Sequence, residues 1–448
     1  MPILPRLRDV DPLRTTVRIA VSGLARAGKT SFLTSVATNL LAGKLLDPAP
    51  DLISEAPAGA ATLARFDAAA NASAMAADPP AWPARTSDIS LLALDLTFRR
   101  GRLRPDRRLR LEFLDYPGEW LLDLPLLHTS YADWSEQVMT RLEPIPAARD
   151  FLDFVQSIER GKGAEEGLAA DGSRRYRALL RHLSQAEHLS MLQPGRFLMP
   201  PHGTVLPDGG TTPPANEPPY MKFFPFDRSG PFTRLLAERY DAYVRAVRAE
   251  LSQPSFARID RMVVLADVLA ALHAGQTAFR DVRAALATVA ESLRWRNTPG
   301  IIPERIANLL PLGGIRRVAF VASKADHVGD AQRHNLKELV SRMTPTGGQA
   351  ISRAFAVAAV RCTEDCTIPL GNGNATVIVS GVRGRVNRQM LGFFPGQVNP
   401  GLADDRPWNE TFLEVPQFEP VRFDASGGNG IPNIGLKELF AFLLEDVL

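Results

Sequence analysis

Residues 23–30, GLARAGKT, match the pattern GxxxxGK[S/T] and lie between a β-rich segment, TVRIAVS at 16–22, and an apolar segment of helical spacing, SFLTSVATNLL at 31–41. A strand, a glycine loop and a helix in this order form the context that this phosphate-binding pattern requires. Backbone N–H groups of such a loop and of the helix N-terminus converge on a polyphosphate. The sequence therefore predicts a phosphate-binding loop in an α/β domain, and a glycine turn with a solvated lysine is the alternative.

The residue types of this loop suggest separate roles. Gly23 and Gly28 permit close approach of the backbone to phosphate, Lys29 is suited to the β- and γ-phosphates, and the Thr30 hydroxyl is suited to Mg²⁺. Lys29 and Thr30 are therefore also candidate catalytic residues, and Thr30 is a candidate metal ligand. The predicted nucleotide contacts in the loop are Gly23, Arg26, Ala27, Gly28, Lys29, Thr30 and Ser31.

The composition limits the classes of protein that this chain can be. Its 448 residues carry 52 Lys and Arg against 49 Asp and Glu, a formal net charge of +3, which is far from the basic footprint of a nucleic-acid-binding protein. A hydrophobic fraction of 45% excludes wholesale disorder, and two cysteines cannot form a disulfide framework. No apolar run reaches the length of a membrane span. We expect a soluble, cytoplasmic protein that does not bind nucleic acid.

Short apolar β-rich segments alternate with helical patterns along much of the chain. Such alternation indicates a mainly parallel sheet with helices on both faces. The first two segments after the loop, 89–98 and 109–114, flank a basic turn and predict an antiparallel hairpin, whereas the Ala- and Pro-rich residues 47–83 predict a mobile excursion with helical patches. The remaining predicted strands are 262–266, 318–322 and 355–359, and a closing helix is predicted at 436–448.

A long region without strand patterns separates the predicted strand 109–114 from the strand 262–266. It contains helix-like stretches at 133–141, 176–192 and 232–251 and a Pro- and Gly-rich stretch, 193–231, that predicts a surface loop. We therefore predict a nucleotide domain interrupted by a helical insertion. The predicted divisions are 1–120 for the first half of the nucleotide domain, 121–258 for the insertion, and 259–448 for the second half with a C-terminal extension.

A DxxG pattern follows the second strand of the hairpin in FLDYPGEW. Asp115 ends an apolar strand and Gly118 follows three positions later. A carboxylate there can hold the Mg²⁺ shell, and the glycine N–H can meet the γ-phosphate in a loop that responds to hydrolysis. A threonine between the two motifs should complete the metal shell; Thr86 is the candidate, with Thr62 as competitor and a turn-capping role as the alternative.

The third motif is SKADHV, which follows the predicted strand 318–322. It resembles the [NT]KxD pattern with which GTPases recognise guanine, with Ser323 at the first position. A carboxylate at Asp326 can accept hydrogen bonds from N1–H and the 2-amino group of guanine, a donor pair that adenine lacks. The stem of Lys324 can pack on the base, and backbone groups of Ala359 and Val360 are the candidates for a further base contact.

The motifs GLARAGKT, DYPGEWLLDLPLL, FARIDRMVVLADVLAAL, SKADHV and FFPG together resemble the YcjX-like P-loop proteins of bacteria, a stress-associated group in the GTPase superclass. The resemblance spans nearly the whole chain. It implies a Ras-like nucleotide domain with a helical insertion, binding of GTP or GDP with Mg²⁺, and a role tied to envelope stress. It also implies a protein effector, for which an inner-membrane protein is the candidate. Such an effector would place this protein at the surface of the inner membrane.

Two departures from small GTPases bear on catalysis. Glu119 replaces the water-positioning glutamine after DxxG, and its carboxylate would repel the γ-phosphate, so we expect slow hydrolysis. Arg26 could act as an arginine finger in cis, although an outward-facing loop arginine is the favoured interpretation. Two alternatives to a GTPase stay open at this point, namely an ATP-using P-loop enzyme and a nucleotide-stabilised scaffold that does not turn over.

Overall fold

The computed structural model contains helices, a large sheet and two small sheets. It describes residues 14–56, 63–83, 89–100, 105–159, 161–201, 203–205, 211–251, 259–294, 315–344, 350–371, 374–383, 388–404, 408, 411–425 and 428–448. Among these residues no helix combines the length and the apolar character that crossing a membrane needs. The candidates Thr62 and Thr86 and the tip of the predicted hairpin at 101–104 lie outside the described residues.

The strands are numbered in chain order. They are β1 Arg14–Gly23, β2 Leu52–Glu55, β3 Ala64–Arg65, β4 Ser90–Phe98, β5 Arg107–Asp115, β6 Thr204–Val205, β7 Thr211–Thr212, β8 Arg261–Ala266, β9 Arg317–Ala322, β10 Ile351–Ala356, β11 Thr363–Gly371, β12 Asn374–Arg383 and β13 Gln389–Phe393.

The α-helices are numbered in the same way. They are α1 Lys29–Leu41, α2 Ala68–Ala76, α3 Gly118–Leu121, α4 Tyr131–Leu142, α5 Arg149–Ser157, α6 Glu166–Gln185, α7 Gly195–Leu198, α8 Pro231–Leu251, α9 Val268–Ala274, α10 Gln276–Arg294, α11 Asp330–Met343 and α12 Leu436–Leu444. Short 3₁₀ helices include Pro125–His128, Pro219–Met221 and Ala325–His327.

The large sheet has the strand order β10-β9-β8-β1-β5-β4-β2, with β3 beside β4. The pairs from β10 through β5 are parallel, whereas β4 pairs antiparallel with both β5 and β2. The predicted mainly parallel sheet and the antiparallel hairpin are therefore confirmed. Because β1 is central, the glycine loop that follows it lies at the carboxyl edge between β5 and β8.

Helices cover both faces of this sheet, as predicted. Along β8, Val263 and Leu265 belong to an apolar cluster with α1 and α12, while Met262 and Val264 belong to a second cluster with α9, α10 and α11. Successive residues of a strand point to opposite faces, so a strand buried on both sides reads as a continuous apolar run. This explains why MVVLA at 262–266 was recognisable as a strand.

The helices between β5 and β8 share the second of these clusters. Trp134 of α4, Tyr240 of α8 and Phe223 are fully buried and pack edge-on or stacked, with ring centroids 5.3 to 5.6 Å apart. The same cluster continues to Val264 of β8. These helices therefore pack on one face of the sheet through a continuous apolar core.

The prediction that 193–231 forms a surface loop is wrong at both ends of the stretch, 193–199 and 221–226. Phe197, Phe223, Phe224 and Met221 of this stretch are buried, and α7 lies within it. Proline removes backbone donors and so disfavours long strands and long helices, but it does not prevent aromatic side chains from entering a core. The composition correctly predicted a largely irregular backbone, but the prediction that all of it lies at the surface was wrong.

Other boundaries also differ from the prediction. The last parallel strand ends at Ala356 rather than at Ala359, and α6 runs from Glu166 to Gln185 rather than from 176 to 192. Within 47–83, α2 is helical as expected, but β2 and β3 were not predicted. The antiparallel sheet β11-β12-β13 was also missed, because its strands alternate apolar with polar residues only weakly.

Candidate functional site

The glycine loop joins β1 to α1 with an unusual backbone. Gly28 is the N-cap of α1 with φ of +80°, and Arg26 has φ of +62°, a left-handed conformation that is uncommon outside glycine. The N–H of Leu24 donates to the carbonyl oxygen of Leu265 at 2.8 Å, which ties the loop to β8. Lys29 and Thr30 are half-buried in the first turn of α1. The loop thus presents a helix N-terminus, a lysine and a hydroxyl at one edge.

The DxxG segment lies directly beside this loop. Asp115 pairs in register with Val21 of β1, and the N–H of Tyr116 donates to the carbonyl oxygen of Val21 at 2.9 Å. A Cβ atom built at Gly118 would lie 1.5 Å from the carbonyl oxygen of Gly23. Only glycine allows this approach. The two motifs, which are far apart in the sequence, therefore touch through their backbones.

Thr30 and Asp115 provide the chemistry that a magnesium ion needs. Asp115 is 2% exposed at the end of β5, and Thr30 lies in the first turn of the helix after the neighbouring strand. Mg²⁺ is typically held by one or two carboxylates together with phosphate oxygens and water, and the P-loop threonine hydroxyl is its usual further ligand. These two side chains fit that ion, and Thr86, the third candidate ligand, lies outside the described residues.

The SKAD motif forms a second corner of the site. Asp326 is 1% exposed in the 3₁₀ helix Ala325–His327, and its Oδ2 accepts a hydrogen bond from the N–H of Cys362 at 2.7 Å. Lys324 has φ of +58°, and its Nζ lies 2.5 Å from Oδ2 of Asp267, the N-cap of α9. The ion pair with Asp267 fixes the lysine stem across the loop.

A cavity of about 540 Å³ connects the glycine loop with the SKAD motif. This volume lies in the range of sites for small molecules and cofactors, roughly 300–1,000 Å³. Eight of the predicted site residues line it, namely Arg26, Ala27, Gly28, Ser31, Lys324, Asp326, Ala359 and Val360. Further lining residues that were not predicted include Trp82, His327, Cys362 and the segment 414–418.

The other predicted residues do not line this cavity. Gly23, Lys29, Thr30, Asp115, Gly118 and Glu119 lie at or just beyond the carboxyl ends of β1 and β5. Glu119 is buried in α3 rather than exposed to an open site. The structure thus places part of the glycine loop and the SKAD candidates around one cavity, and the remaining described candidates at two strand ends.

Arg26 points toward the insertion. Its Nη1 lies 3.0 Å from Nδ1 of His188, and its Nη2 donates to the carbonyl oxygen of Gln185, the last residue of α6, at 3.2 Å. Burial first and the charge of Arg26 second lower the pKa of His188, so its ring is neutral near pH 7 and can accept from the guanidinium. Arg26 is exposed, and its guanidinium contacts His188 and Gln185.

Two groups that line the cavity have pKa values shifted by burial. Burial lowers the pKa of His327, which keeps this imidazole neutral at pH 7 beside Asp326. Burial also raises the pKa of the Cys362 thiol well above its ordinary value, with the negative charge of Asp326 as the second cause. Both residues therefore contribute uncharged surface to the cavity wall.

Sequence reasoning missed several of these residues for different reasons. Asp267 directly follows a predicted strand, as Asp115 does, and that position could have identified it. Trp82 and the segment 414–418 belong to no motif. They are far apart in the sequence, and both line the cavity. Only the tertiary structure places them beside Asp326.

The amino-acid sequence matches the model of the YcjX-like family, DUF463, over residues 17–448. It is 28% identical to the Ras-like GTPase YcjX of Escherichia coli, with 96% of each chain covered. It is 27% identical to the Ras-like GTPase YcjX of Shewanella oneidensis, with 96% of this chain and 94% of the relative covered. The mainly parallel sheet and the placement of the glycine loop agree with a Ras-like P-loop fold. The chain belongs to the YcjX-like family.

Proposed function

We propose that this protein binds GTP or GDP with Mg²⁺ and hydrolyses GTP slowly as a conformational switch. The observation that carries the proposal is the cavity of about 540 Å³ shared by Gly28 and Ser31 at one end and Lys324 and Asp326 at the other. A nucleotide needs a phosphate cradle and a base pocket in one continuous space. Both relatives bear the name Ras-like GTPase, which supports the same assignment.

The phosphate end of the proposed site rests on charge and backbone geometry. Lys29 supplies a cation and the α1 N-terminus supplies backbone donors, both of which favour a polyphosphate. Thr30 and Asp115 would hold the magnesium ion, whose charge neutralises the phosphate oxygens when it is bound. Gly118, seated on Gly23, would offer its N–H near the γ-phosphate.

The base end favours guanine over adenine. The carboxylate of Asp326 is buried against the cavity, and among the described residues it accepts one hydrogen bond, from Cys362. Guanine can donate two further hydrogen bonds to such a carboxylate, whereas adenine would leave the charge without donors. The apolar stem of Lys324 is fixed by its ion pair with Asp267 and can cover one face of the base.

Calorimetric titration of the whole chain with GDP and with ADP, in the presence of Mg²⁺, tests this proposal. We expect GDP to bind at least about 100-fold more tightly, because a buried carboxylate without donors is penalised. Lys29→Ala should weaken both nucleotides, and Asp326→Ala should weaken GDP alone. Asp330→Ala, at an exposed acidic position four residues further on, is the matched control. Equal affinities for GDP and ADP would contradict the guanine assignment, and tighter binding of ADP would favour an ATP-using P-loop enzyme.

Slow hydrolysis follows from the residue after Gly118. Glu119 is buried and carries a carboxylate where an uncharged water-positioning side chain would serve better. In single-turnover assays we expect Glu119→Gln to hydrolyse GTP faster than the wild type, and Arg26→Ala to differ little because Arg26 is bound to His188. Wild-type phosphate release that depends on Lys29 would exclude a scaffold that does not turn over.

In this proposal the chain is divided into 1–120, 121–258 and 259–448. The helical region between β5 and β8 is the part that changes its arrangement with the bound nucleotide. A role in bacterial envelope stress, with an inner-membrane protein as the effector, is part of the same proposal and rests on the family. Mass spectrometry of proteins cross-linked to the GTP-bound chain in cells under envelope stress tests this part. Cross-links confined to partners outside the envelope would contradict it.

A further inference from the structure

The segment that follows Gly118 packs against α7 and the residues on either side of that helix. A Cβ atom built at Gly195 of α7 would lie 1.7 Å from the carbonyl oxygen of Glu119, so α3 and α7 touch through their backbones. Nε1 of Trp120 donates to the carbonyl oxygen of Met199 at 2.7 Å, and Nε2 of Gln193 donates to the carbonyl oxygen of Leu122 at 2.5 Å. Residues 118–122 therefore cannot shift without moving residues 193–199.

Asp123 is the centre of this contact. Its side chain is fully buried, and it accepts hydrogen bonds from the N–H of Gly195 at 2.7 Å, from Nη1 of Arg196 at 2.9 Å and from the hydroxyl of Tyr243 at 2.6 Å. Burial, and after it the charge of Asp123, raise the pKa of Tyr243 well above its ordinary value, so the hydroxyl stays a donor. Asp123 thus connects the end of the DxxG segment to α7 and to α8.

Arg196 extends the connection. Its guanidinium lies 4.5 Å from the centre of the Trp120 ring, and its Nη2 lies 3.2 Å from Oε1 of Glu250 near the end of α8. A buried carboxylate and a buried guanidinium stabilise each other only in close geometry, because each is costly without its partner. A charge pair of this kind favours one discrete arrangement of α3, α7 and α8 over intermediate ones.

We propose that Asp123 is a positioning residue that couples the nucleotide state at Gly118 to the arrangement of α7 and α8. Gly118 contacts the glycine loop at Gly23, and five residues later Asp123 accepts hydrogen bonds from α7 and α8. The inference rests on the proposed function, since it needs a nucleotide-dependent movement at Gly118. It goes beyond that function by naming the residue through which α7 and α8 respond.

The test compares amide hydrogen exchange of the full-length protein with GDP and with the slowly hydrolysed analogue GTPγS. In the wild type we expect the exchange of α7 and α8 to differ between the two nucleotides. In Asp123→Asn and in Tyr243→Phe we expect this difference to be lost and the ratio of GTPγS affinity to GDP affinity to change about 5-fold or more, the size of a typical coupling between sites. GDP affinity itself should change less than this ratio.

Tyr131→Phe is the matched control, because the Tyr131 hydroxyl is also buried in the insertion but donates to Phe224 rather than to Asp123. It should keep the wild-type exchange difference. Tyr243→Phe removes one donor and no charge, so it tests the proposal even if Asp123→Asn fails to fold. An unchanged affinity ratio and an unchanged exchange difference in Tyr243→Phe would overturn the proposal. Wild-type protein that binds neither nucleotide would instead contradict the proposed function.

Discussion

The cavity around Asp326 and the buried contact around Asp123 each contain a buried aspartate, but the two carboxylates differ in how many hydrogen-bond donors the protein supplies to them. The side chain of Asp123 accepts three short hydrogen bonds, and their donors belong to α7 and α8. Among the described residues the side chain of Asp326 accepts one hydrogen bond, from Cys362, and Asp326 lines a cavity of about 540 Å³. One carboxylate is satisfied within the fold, and the other keeps capacity to accept from a ligand.

The difference shows why burial alone does not identify a binding residue. Both carboxylates are almost inaccessible, at 0% and 1% exposed. A buried carboxylate needs hydrogen-bond donors. The two carboxylates differ in whether the protein itself supplies all of those donors. Asp123 is therefore expected to contribute mainly to stability and coupling, whereas Asp326 is expected to contribute mainly to nucleotide selection.

The largest expected effect concerns the backbone contact between the two regions. In Gly118→Ala the new Cβ would collide with the carbonyl oxygen of Gly23, so the free energy of unfolding should fall by about 3 kcal/mol or more and nucleotide binding should be lost. Urea denaturation and GDP titration measure both quantities. Gly167→Ala in α6 has open space around the new atom and should stay within about 1 kcal/mol of wild type. Similar losses in both variants would remove the contact argument.

The next effect compares the two aspartates directly. Asp123→Ala leaves Arg196 buried without its closest anion and should lower the free energy of unfolding by about 3–5 kcal/mol. Asp326→Ala removes one internal hydrogen bond and should cost about 1–3 kcal/mol. Chemical denaturation without nucleotide gives both values. A larger loss for Asp326→Ala would reverse the comparison.

A smaller effect is expected on acidification near Asp326. Because the folded-state pKa of His327 is lowered by burial, its neutral form stabilises the fold above the ordinary histidine pKa of about 6.5, and this contribution is lost as the pH falls through the folded pKa. Melting temperatures at pH 7.5 and pH 5.0 should therefore differ less in His327→Phe than in wild type. His182→Gln, at an exposed position of α6, should keep the wild-type difference. An equal difference in all three proteins would show that His327 has no part in it.

The smallest effect concerns the exposed link between Arg26 and His188. His188→Ala removes the acceptor for Nη1, while the contact of Nη2 with Gln185 remains. For an exposed contact we expect a change in unfolding free energy of less than about 1 kcal/mol. Precise urea titration of His188→Ala beside wild type measures this change. A loss above 2 kcal/mol would mean that the link between the glycine loop and the insertion matters more than its exposure suggests.

The strand, loop and helix at the candidate site could be predicted because short motifs carry their own local geometry. GLARAGKT required a strand before it and a helix after it, and β1 and α1 lie there. Burial on both faces made β8 and β9 readable as apolar runs. By contrast, the burial of the aromatic residues of 193–231 could not be predicted, because a proline-rich composition indicates only that the backbone is irregular.

The amino-acid sequence by itself determined the order of strand, loop and helix, the parallel sheet and the identity of the motif residues, because these depend on local periodicity and on glycine placement. The tertiary structure alone decided which distant residues meet. The packing of Gly118 on Gly23, the donors around Asp123 and the place of Trp82 in the cavity depend on contacts between residues far apart in the chain. Such contacts leave no periodic signal, because they form only when separate elements pack against one another.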